Sequence, residues 1–276
     1  MSQSSTLVIE PGLTERHYWR DLWRYRELFY VLAWRDISVR YKQTLIGLAW
    51  ALIRPFITMV VFTIIFSKVA NLPVEGSAPY GLMVYAALLP WQFFSSALAE
   101  SSGSLLSNSN LIGKVYFPRL IIPSSSVVVS FIDFLVGFIV LIGMMIWYQF
   151  IPGWQILVLP FLIVMCFLVS LGLGLWAATL NMKYRDFRYI IPFVLQLGLY
   201  ISPVGFSSSV IPDKWRLLYC LNPMVGVIDG FRWSLLGGET AIYMPGFVLS
   251  WCVIFACLFL GIRQFRRMEK SFADLI

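Results

Sequence analysis

The sequence predicts an all-α membrane protein: six transmembrane helices, preceded by an amphipathic helix lying at the membrane surface. Three observations carry this prediction. The first is composition. Of 276 residues, 59% are hydrophobic and only 13% charged, and mean hydropathy is +0.78. Soluble domains sit near ~45–50% apolar and ~25% charged, so a bilayer is the natural solvent for this chain. The second is segment length. Crossing the ~30 Å hydrocarbon layer takes about 20 apolar residues in a helix. Six stretches meet that requirement: 45–67, 80–99, 121–148, 156–180, 189–206 and 244–262. The third is charge. Six crossings put both termini on one side, and 17 of the 21 lysines and arginines then fall on that side. Lys68, Lys214, Arg216 and Arg232 fall on the other. The positive-inside rule makes the crowded side cytoplasmic. The net charge of +7 is therefore sorted by membrane side and does not mark a nucleic-acid partner.

The elements follow in order. The chain divides into a cytoplasmic tail with its interfacial helix (1–43), the six-span region (44–262) and a cytoplasmic C-terminal tail (263–276). The opening MSQSSTLVIEPG has neither the basic start nor the apolar core of a signal peptide. Over 16–42, Arg16, Arg20 and Arg24 repeat on one stripe, while Trp19, Leu22, Trp23, Phe29, Tyr30, Ala33 and Ile37 supply apolar, aromatic surface. Such a segment carries too many charges to span and suits the headgroup layer. In the first span, Pro55 to Ser67 covers only 13 residues, about 20 Å of helix. The span must therefore begin nearer Leu45, which leaves Arg54 below the headgroups. An arginine there faces water or an acidic partner; Asp133 and Glu100 are the available acids. Pro55 beside it favours a kink.

Between spans two and three, ESSGSLLSNSNLIGKVYFPR (100–119) places Ser and Asn before a short apolar stretch, the pattern of a capped short helix. Asp133 with Ser130 reads as polar glue between helices in preference to a proton site. Gly172 and Gly174 allow close helix approach. Arg185, Asp186 and Arg188 lie in a short cytoplasmic loop, either as topology charges with a local ion pair or as a contact for a partner. Pro203-Val204-Gly205 breaks the outer end of the fifth span. The segment 207–243 has apolar residues at helical spacing, interrupted by Pro212 and by Asn222-Pro223. It reads as two short amphipathic helices at or dipping into the outer leaflet, where irregular backbone needs cover from protein or a water cavity. Trp91, Phe93, Phe94, Trp147, Tyr148, Trp154, Trp215 and Trp233 fall near expected span ends, as an interfacial belt would.

Several chemistries are missing. There is no GxxxxGK[ST] loop; Gly113-Lys114 is followed by Val115 and lacks the upstream glycine. No GxSxG, HExxH or paired-carboxylate arrangement occurs, so no catalytic residue is expected. Histidine occurs once, at His17, and Cys166, Cys220, Cys252 and Cys257 form no CxxC, so no metal site is expected. Sparse buried acids argue against proton-coupled transport.

Four stretches, in this order and spacing, carry a resemblance: WRDISVRYKQTLIGLAWALIRP, LIGKVYFPRLIIP, NMKYRDFRYIIPFVLQLGLYISPVGFS and LNPMVGVIDGFRWSLLG. Over about 34–275 the chain resembles the membrane (permease) subunit of bacterial ABC transporters that export polysaccharide: O-antigen, capsule or teichoic acid. The resemblance implies a homodimer in the inner membrane with two copies of a separate ATPase chain. ATP and Mg would belong to that partner, with no cofactor on this chain. It implies a channel between the two permease subunits for a lipid-linked glycan, lined by the first and fifth spans, with Phe56, Phe62, Tyr200 and Phe206 as candidate lining residues. The 207–243 segment would be a periplasmic gate, with Pro212, Trp215, Asn222, Pro223 and Arg232 as its candidates. The 100–119 connection would couple to the ATPase through Glu100, Asn110, Lys114, Tyr116 and Arg119. A carrier diphosphate would meet positive charge at the cytoplasmic entrance from Arg35, Arg40, Lys42, Arg54 and Arg119, since guanidinium matches phosphate in bidentate geometry. For Arg54 the alternative remains an internal pair with Asp133 or Glu100. The rival readings are an ABC export permease for a drug or lipid, a membrane-embedded glycan-processing enzyme such as a transferase or polymerase, and a proton-driven transporter. The enzyme would need catalytic acids or histidines in a large extramembrane loop.

Overall fold

The computed structural model describes residues 18–42, 47–70, 76–238, 240, 242–269 and 272. Arg16, His17, Leu45 and Lys270 lie outside them. Every regular element among the described residues is helical. The N-terminal part forms α1 (Tyr18–Arg24) and α2 (Arg26–Lys42), separated at Tyr25. Then come α3 (Gly47–Phe62), which continues as a π-helical turn over Thr63–Val69, α4 (Tyr80–Ser107), α5 (Ser109–Lys114) and α6 (Ile121–Trp147). A 3₁₀ turn over Trp154–Val158 leads into α7 (Leu159–Lys183), followed by α8 (Phe187–Ile201), α9 (Asp213–Tyr219), α10 (Pro223–Leu235) and α11 (Met244–Glu269).

Five helices among the described residues are long and apolar enough to cross a membrane: Leu52–Val69, α4, α6, Trp154–Lys183 and α11. The fifth expected span, 189–206, is built differently. It is the 15-residue α8, about 22 Å long, followed by irregular chain. The helix ends just before Pro203, which lacks an N–H, and Gly205 lets the ring of Phe66 close on the irregular chain, where any Cβ would sit 2.4 Å from it.

α4 is the central helix. Of its most apolar stretch 78% is buried, against 17% for the first span. α3, α6, α7, α8 and α10 all pack on it. This corrects the belt assignment for Trp91, Phe93 and Phe94, which α4 turns inward: Phe93 meets Phe131, Phe134 and Phe167. Trp147, Trp154 and Trp215 are exposed, as a belt requires. α7 and α11 touch backbone to backbone, because a Cβ at Gly261 would lie 2.1 Å from the carbonyl oxygen of Gly172. Gly174 similarly leaves room for Ser101.

Two boundaries differ from the sequence expectation. α4 does not stop at residue 99 but runs to Ser107, so Glu100 is helical and only 108–120 remain as the connection to α6. The serines of that run do not cap; Ser102, Ser104 and Ser107 return their hydroxyls to carbonyls three or four residues back. In 207–243 both short helices exist, but α10 does not lie on a surface. It is buried among α4, α7 and α11, where Gly226 admits Ser250 and Gly230 admits Leu162. On the N-terminal side, Leu32 and Ala33 of α2 face inward while Trp19, Trp23, Tyr30 and Trp34 are exposed, with Tyr30 stacked on Trp34.

Candidate functional site

Three regions gather the charged and polar side chains. The first is a cleft where α2 packs on α6 and reaches α4 through its side chains. Arg40 on α2 donates to Glu100 on α4 at 2.5 Å and also to Asp133 on α6. Tyr41 donates to the other oxygen of Asp133. Burial alone would lower the Arg40 pKa, but the charges of Asp133 and then Glu100 outweigh it and hold the pKa above its ordinary value. Burial, reinforced by the bond to Asp133, pushes the Tyr41 hydroxyl up as well, so it stays a donor. The acids considered for Arg54 are therefore taken by Arg40. Arg54 is exposed and lines a cavity of about 450 Å³ with Arg40, Tyr41, Gln92, Ser96 and Asp133. A second cavity of about 500 Å³ lies on the far side of Arg40, lined by Arg35, Asp36, Ser107 and Asn108 among others. Arg35 pairs with Asp36 and donates to the Asn108 side chain at 3.0 Å. Lys42 ends α2 and is exposed.

The second region is the break after α8. Irregular backbone at membrane depth must find donors inside the protein. Here the carbonyls of Ile201, Val204, Gly205 and Phe206 each have one. Tyr219 donates to Ile201 (2.7 Å), Tyr80 to Gly205 (2.5 Å), and Arg232 to Val204 (2.8 Å), Phe206 (2.7 Å) and Met83 (3.4 Å). Arg232 is 2% exposed, a guanidinium buried in protein and serving main chain. Asn222 caps α10 by accepting from the Met224 amide, and its amide nitrogen reaches the Ser202 hydroxyl at 2.9 Å. Pro223 follows at the first helical position, where its missing N–H is harmless. Pro212 starts α9, and Trp215 is exposed on it beside Lys214. Arg232 and Asn222 thus hold the segment to the α8 break, whereas Trp215 faces outward. Tyr80 and Tyr219 went unnoticed in the sequence; a Tyr gives no periodic sign of a carbonyl 125 residues away.

The third region is the α4–α6 connection. Asn110, Lys114 and Tyr116 are exposed on or beside α5, while Ile112 and Phe117 anchor it inward. Arg119 is not with the other arginines. Its backbone N–H donates to the Glu269 side chain at 2.8 Å, and its guanidinium donates to the Glu269 backbone carbonyl and lies 6.0 Å from the Phe272 ring. Tyr18 packs here under Arg266, and burial beside Glu269 raises its hydroxyl pKa. This reciprocal clamp joins α1, the connection and the end of α11 around one apolar cluster. Glu269→Ala is expected to speed amide hydrogen exchange at Arg119 and Leu120 at least ten-fold while leaving α4 unchanged. Equal exchange in both proteins would mean the clamp carries no local stability.

α3 and α8 leave their outer faces uncovered. Phe56, Ile57 and Ile64 on the first segment and Tyr189, Phe193 and Tyr200 on the second are exposed. Of the lining candidates, Phe56 and Tyr200 are on this surface. Phe62 is buried against Phe66 and Tyr200, and Phe206 is half-buried beside Phe66. Among the described residues, no three His, Cys, Asp or Glu side chains group to hold a metal.

Residues 27–236, from α2 to the end of α10, match the ABC-2 type transporter family. The chain belongs to that family. Curated relatives agree with it. An O-antigen export system permease protein RfbA of Klebsiella pneumoniae is 26% identical over 91% of this chain and 95% of its own length. RfbA of Myxococcus xanthus is 26% identical over 77% of this chain and 82% of its own. The inner membrane transport permease YadH of Escherichia coli K12 is 24% identical over 67% and 75%. The residues of these regions from Arg35 to Arg232 lie inside the ABC-2 match; Tyr18 and the Arg266, Glu269 and Phe272 side of the clamp lie outside it. As an ABC-2 member the protein is an integral membrane transport subunit, consistent with the five long apolar helices among the described residues.

Proposed function

We propose that this protein is the permease of an ABC transporter that moves lipid-linked polysaccharide, of O-antigen or capsular type, from the cytoplasm across the inner membrane. The observation that carries this reading is the alignment of 260 residues with a permease named for O-antigen export. Two copies form the channel, and the uncovered faces of α3 and α8, with Phe56 and Tyr200, are its walls. Aromatic rings offer sugars a stacking surface without deep wells. α8 and its irregular continuation together make the sixth crossing, so both termini are cytoplasmic, in line with the 17-to-4 division of Lys and Arg. Energy comes from two separate ATPase chains that press on α5, in line with the missing phosphate loop. α9 and α10 form the outer gate, pinned to the α8 break by Arg232 and Asn222.

The test is deletion of the gene in its native host. Surface polysaccharide should vanish while lipid-linked polymer accumulates inside. Normal surface polymer in the deletion strain excludes the reading. Within the complex, Lys114→Glu reverses the charge on the exposed end of α5. Export should fall at least ten-fold while the ATPase continues to hydrolyse ATP, measured on purified complex. Unchanged export removes α5 from coupling.

A further inference from the structure

α2 is tied to the bundle by two arginines that reach different places. Arg40 grips Glu100 and Asp133, on α4 and α6, at the edge of the cavity lined by Arg54. Arg35, five residues earlier, donates to Asn108, the residue that ends α4 and starts α5. One rigid helix therefore joins a charged cavity to the base of the exposed helix α5.

The cavity's charges balance: Arg40 and Arg54 against Glu100 and Asp133. Arg54, with no side-chain partner among the described residues, is the cation open to a new anion. Arg40 is engaged, yet has open space on both sides, because the two cavities share Arg40 and Glu100. The first cavity, about 450 Å³, lies within the ~300–1,000 Å³ range of small-ligand sites. Two carboxylates hold Arg40 by one bond each; a diphosphate carries at least their combined charge and accepts guanidinium in bidentate geometry. Exchanging two carboxylates for phosphate oxygens on Arg40 replaces like with like, as a reversible switch requires. A ligand shifts such an equilibrium only by its differential affinity for the two states. Here that difference arises because only the released Arg40 can join Arg54 on the phosphate.

We propose that α2 is a phosphate-operated latch: a lipid diphosphate entering at Arg54 draws Arg40 off Glu100 and Asp133, and the shift of α2 pulls Arg35 from Asn108 and frees the base of α5. This rests on the reading of the protein as a permease for a lipid-linked glycan, and adds that substrate arrival is reported to the ATPase-facing helix through α2.

The experiment is hydrogen–deuterium exchange on the complete transporter in nanodiscs, with three additions: undecaprenyl diphosphate, inorganic pyrophosphate, and undecaprenol, the neutral lipid. Binding is followed separately by native mass spectrometry. The latch predicts that undecaprenyl diphosphate speeds exchange at 108–114 at least five-fold while undecaprenol does not. Glu100→Gln combined with Asp133→Asn should give fast exchange there before any addition. Release by pyrophosphate as well would support the latch and assign the trigger to the phosphates alone. Bound undecaprenyl diphosphate with unchanged exchange at 108–114 overturns it, as does an equal response to undecaprenol. Failure of undecaprenyl diphosphate to bind also overturns it. In that case, loss of surface polysaccharide on gene deletion would leave the export reading standing.

Discussion

Replacing Arg232 with methionine is expected to lower the unfolding midpoint of the detergent-purified protein by roughly 6–12 °C. Methionine keeps most of the apolar volume and removes every donor. The carbonyls of Met83, Val204 and Phe206 then lose the guanidinium that serves them. A buried acceptor stripped of its partner costs about 1–3 kcal/mol. Part of that is offset, because a guanidinium no longer has to be kept out of water at 2% exposure. A net loss of about 3 kcal/mol corresponds to the quoted shift for a chain of this size at ~2–4 °C per kcal/mol. The damage should concentrate at the α8 break, so Arg232→Lys, which keeps a donor but not the fork, should fall between the two. Thermal unfolding monitored by size-exclusion fluorescence gives the midpoints. A midpoint within 2 °C of the parent for the methionine variant would mean that water already serves those carbonyls, and that the break is an open gate instead of a packed one.

Gly261→Val should be as damaging, for a steric reason. The first side-chain carbon would be placed 2.1 Å from the Gly172 carbonyl oxygen, and that neighbour is backbone, with no rotamer to relieve the contact. α11 must then move off α7 along a seam that reaches the buried ends of both helices. Overpacking in a close-packed interior typically costs about 1–3 kcal/mol, occasionally more. A valine at a backbone–backbone crossing belongs at the upper end, and loss of folded protein from the membrane fraction is expected. Gly143, whose added Cβ meets nothing within 4 Å, is the matched control: Gly143→Ala should leave the yield unchanged. Equal yields for both variants would mean that the α7–α11 crossing has room for a side chain at position 261.

Much of the architecture is legible in sequence because lipid imposes it. The apolar runs at 80–99, 121–148 and 244–262 and the Lys/Arg bias are one-dimensional signals, and so is Asn222-Pro223, which marks the start of α10 by cap chemistry alone. What was not legible depends on contacts between distant residues. Arg40 meets Asp133 across 93 positions and Arg232 meets Met83 across 149, and no period encodes such pairs. For Arg54 the sequence leaves open either water and phosphate or a pair with Asp133 or Glu100; the acids are taken instead by Arg40 of the neighbouring α2, and Arg54 is exposed. Arg119 was grouped with the entrance arginines by charge alone; its partner Glu269 lies 150 residues away. α10 reads as a surface helix because the 207–243 segment, with apolar residues at helical spacing broken by Pro212 and Asn222-Pro223, looks amphipathic and too short to span. In the fold Arg232 is turned inward to carbonyls, and the glycines at 226 and 230 let neighbours close over the helix. α4 outran its expected end because serines that compete with a helix in isolation can instead bond back into it.

The claim on which all of this depends is that the protein is a passive channel half, driven by a partner. The direct measurement is ATP-dependent movement of a radiolabelled lipid-linked glycan in sealed proteoliposomes, made with this protein alone and with its ATPase. Movement and ATP hydrolysis should both be absent with the protein alone, and both should appear when the ATPase is added. Glycan movement without the ATPase, or nucleotide hydrolysis by this chain unaided, would contradict the account.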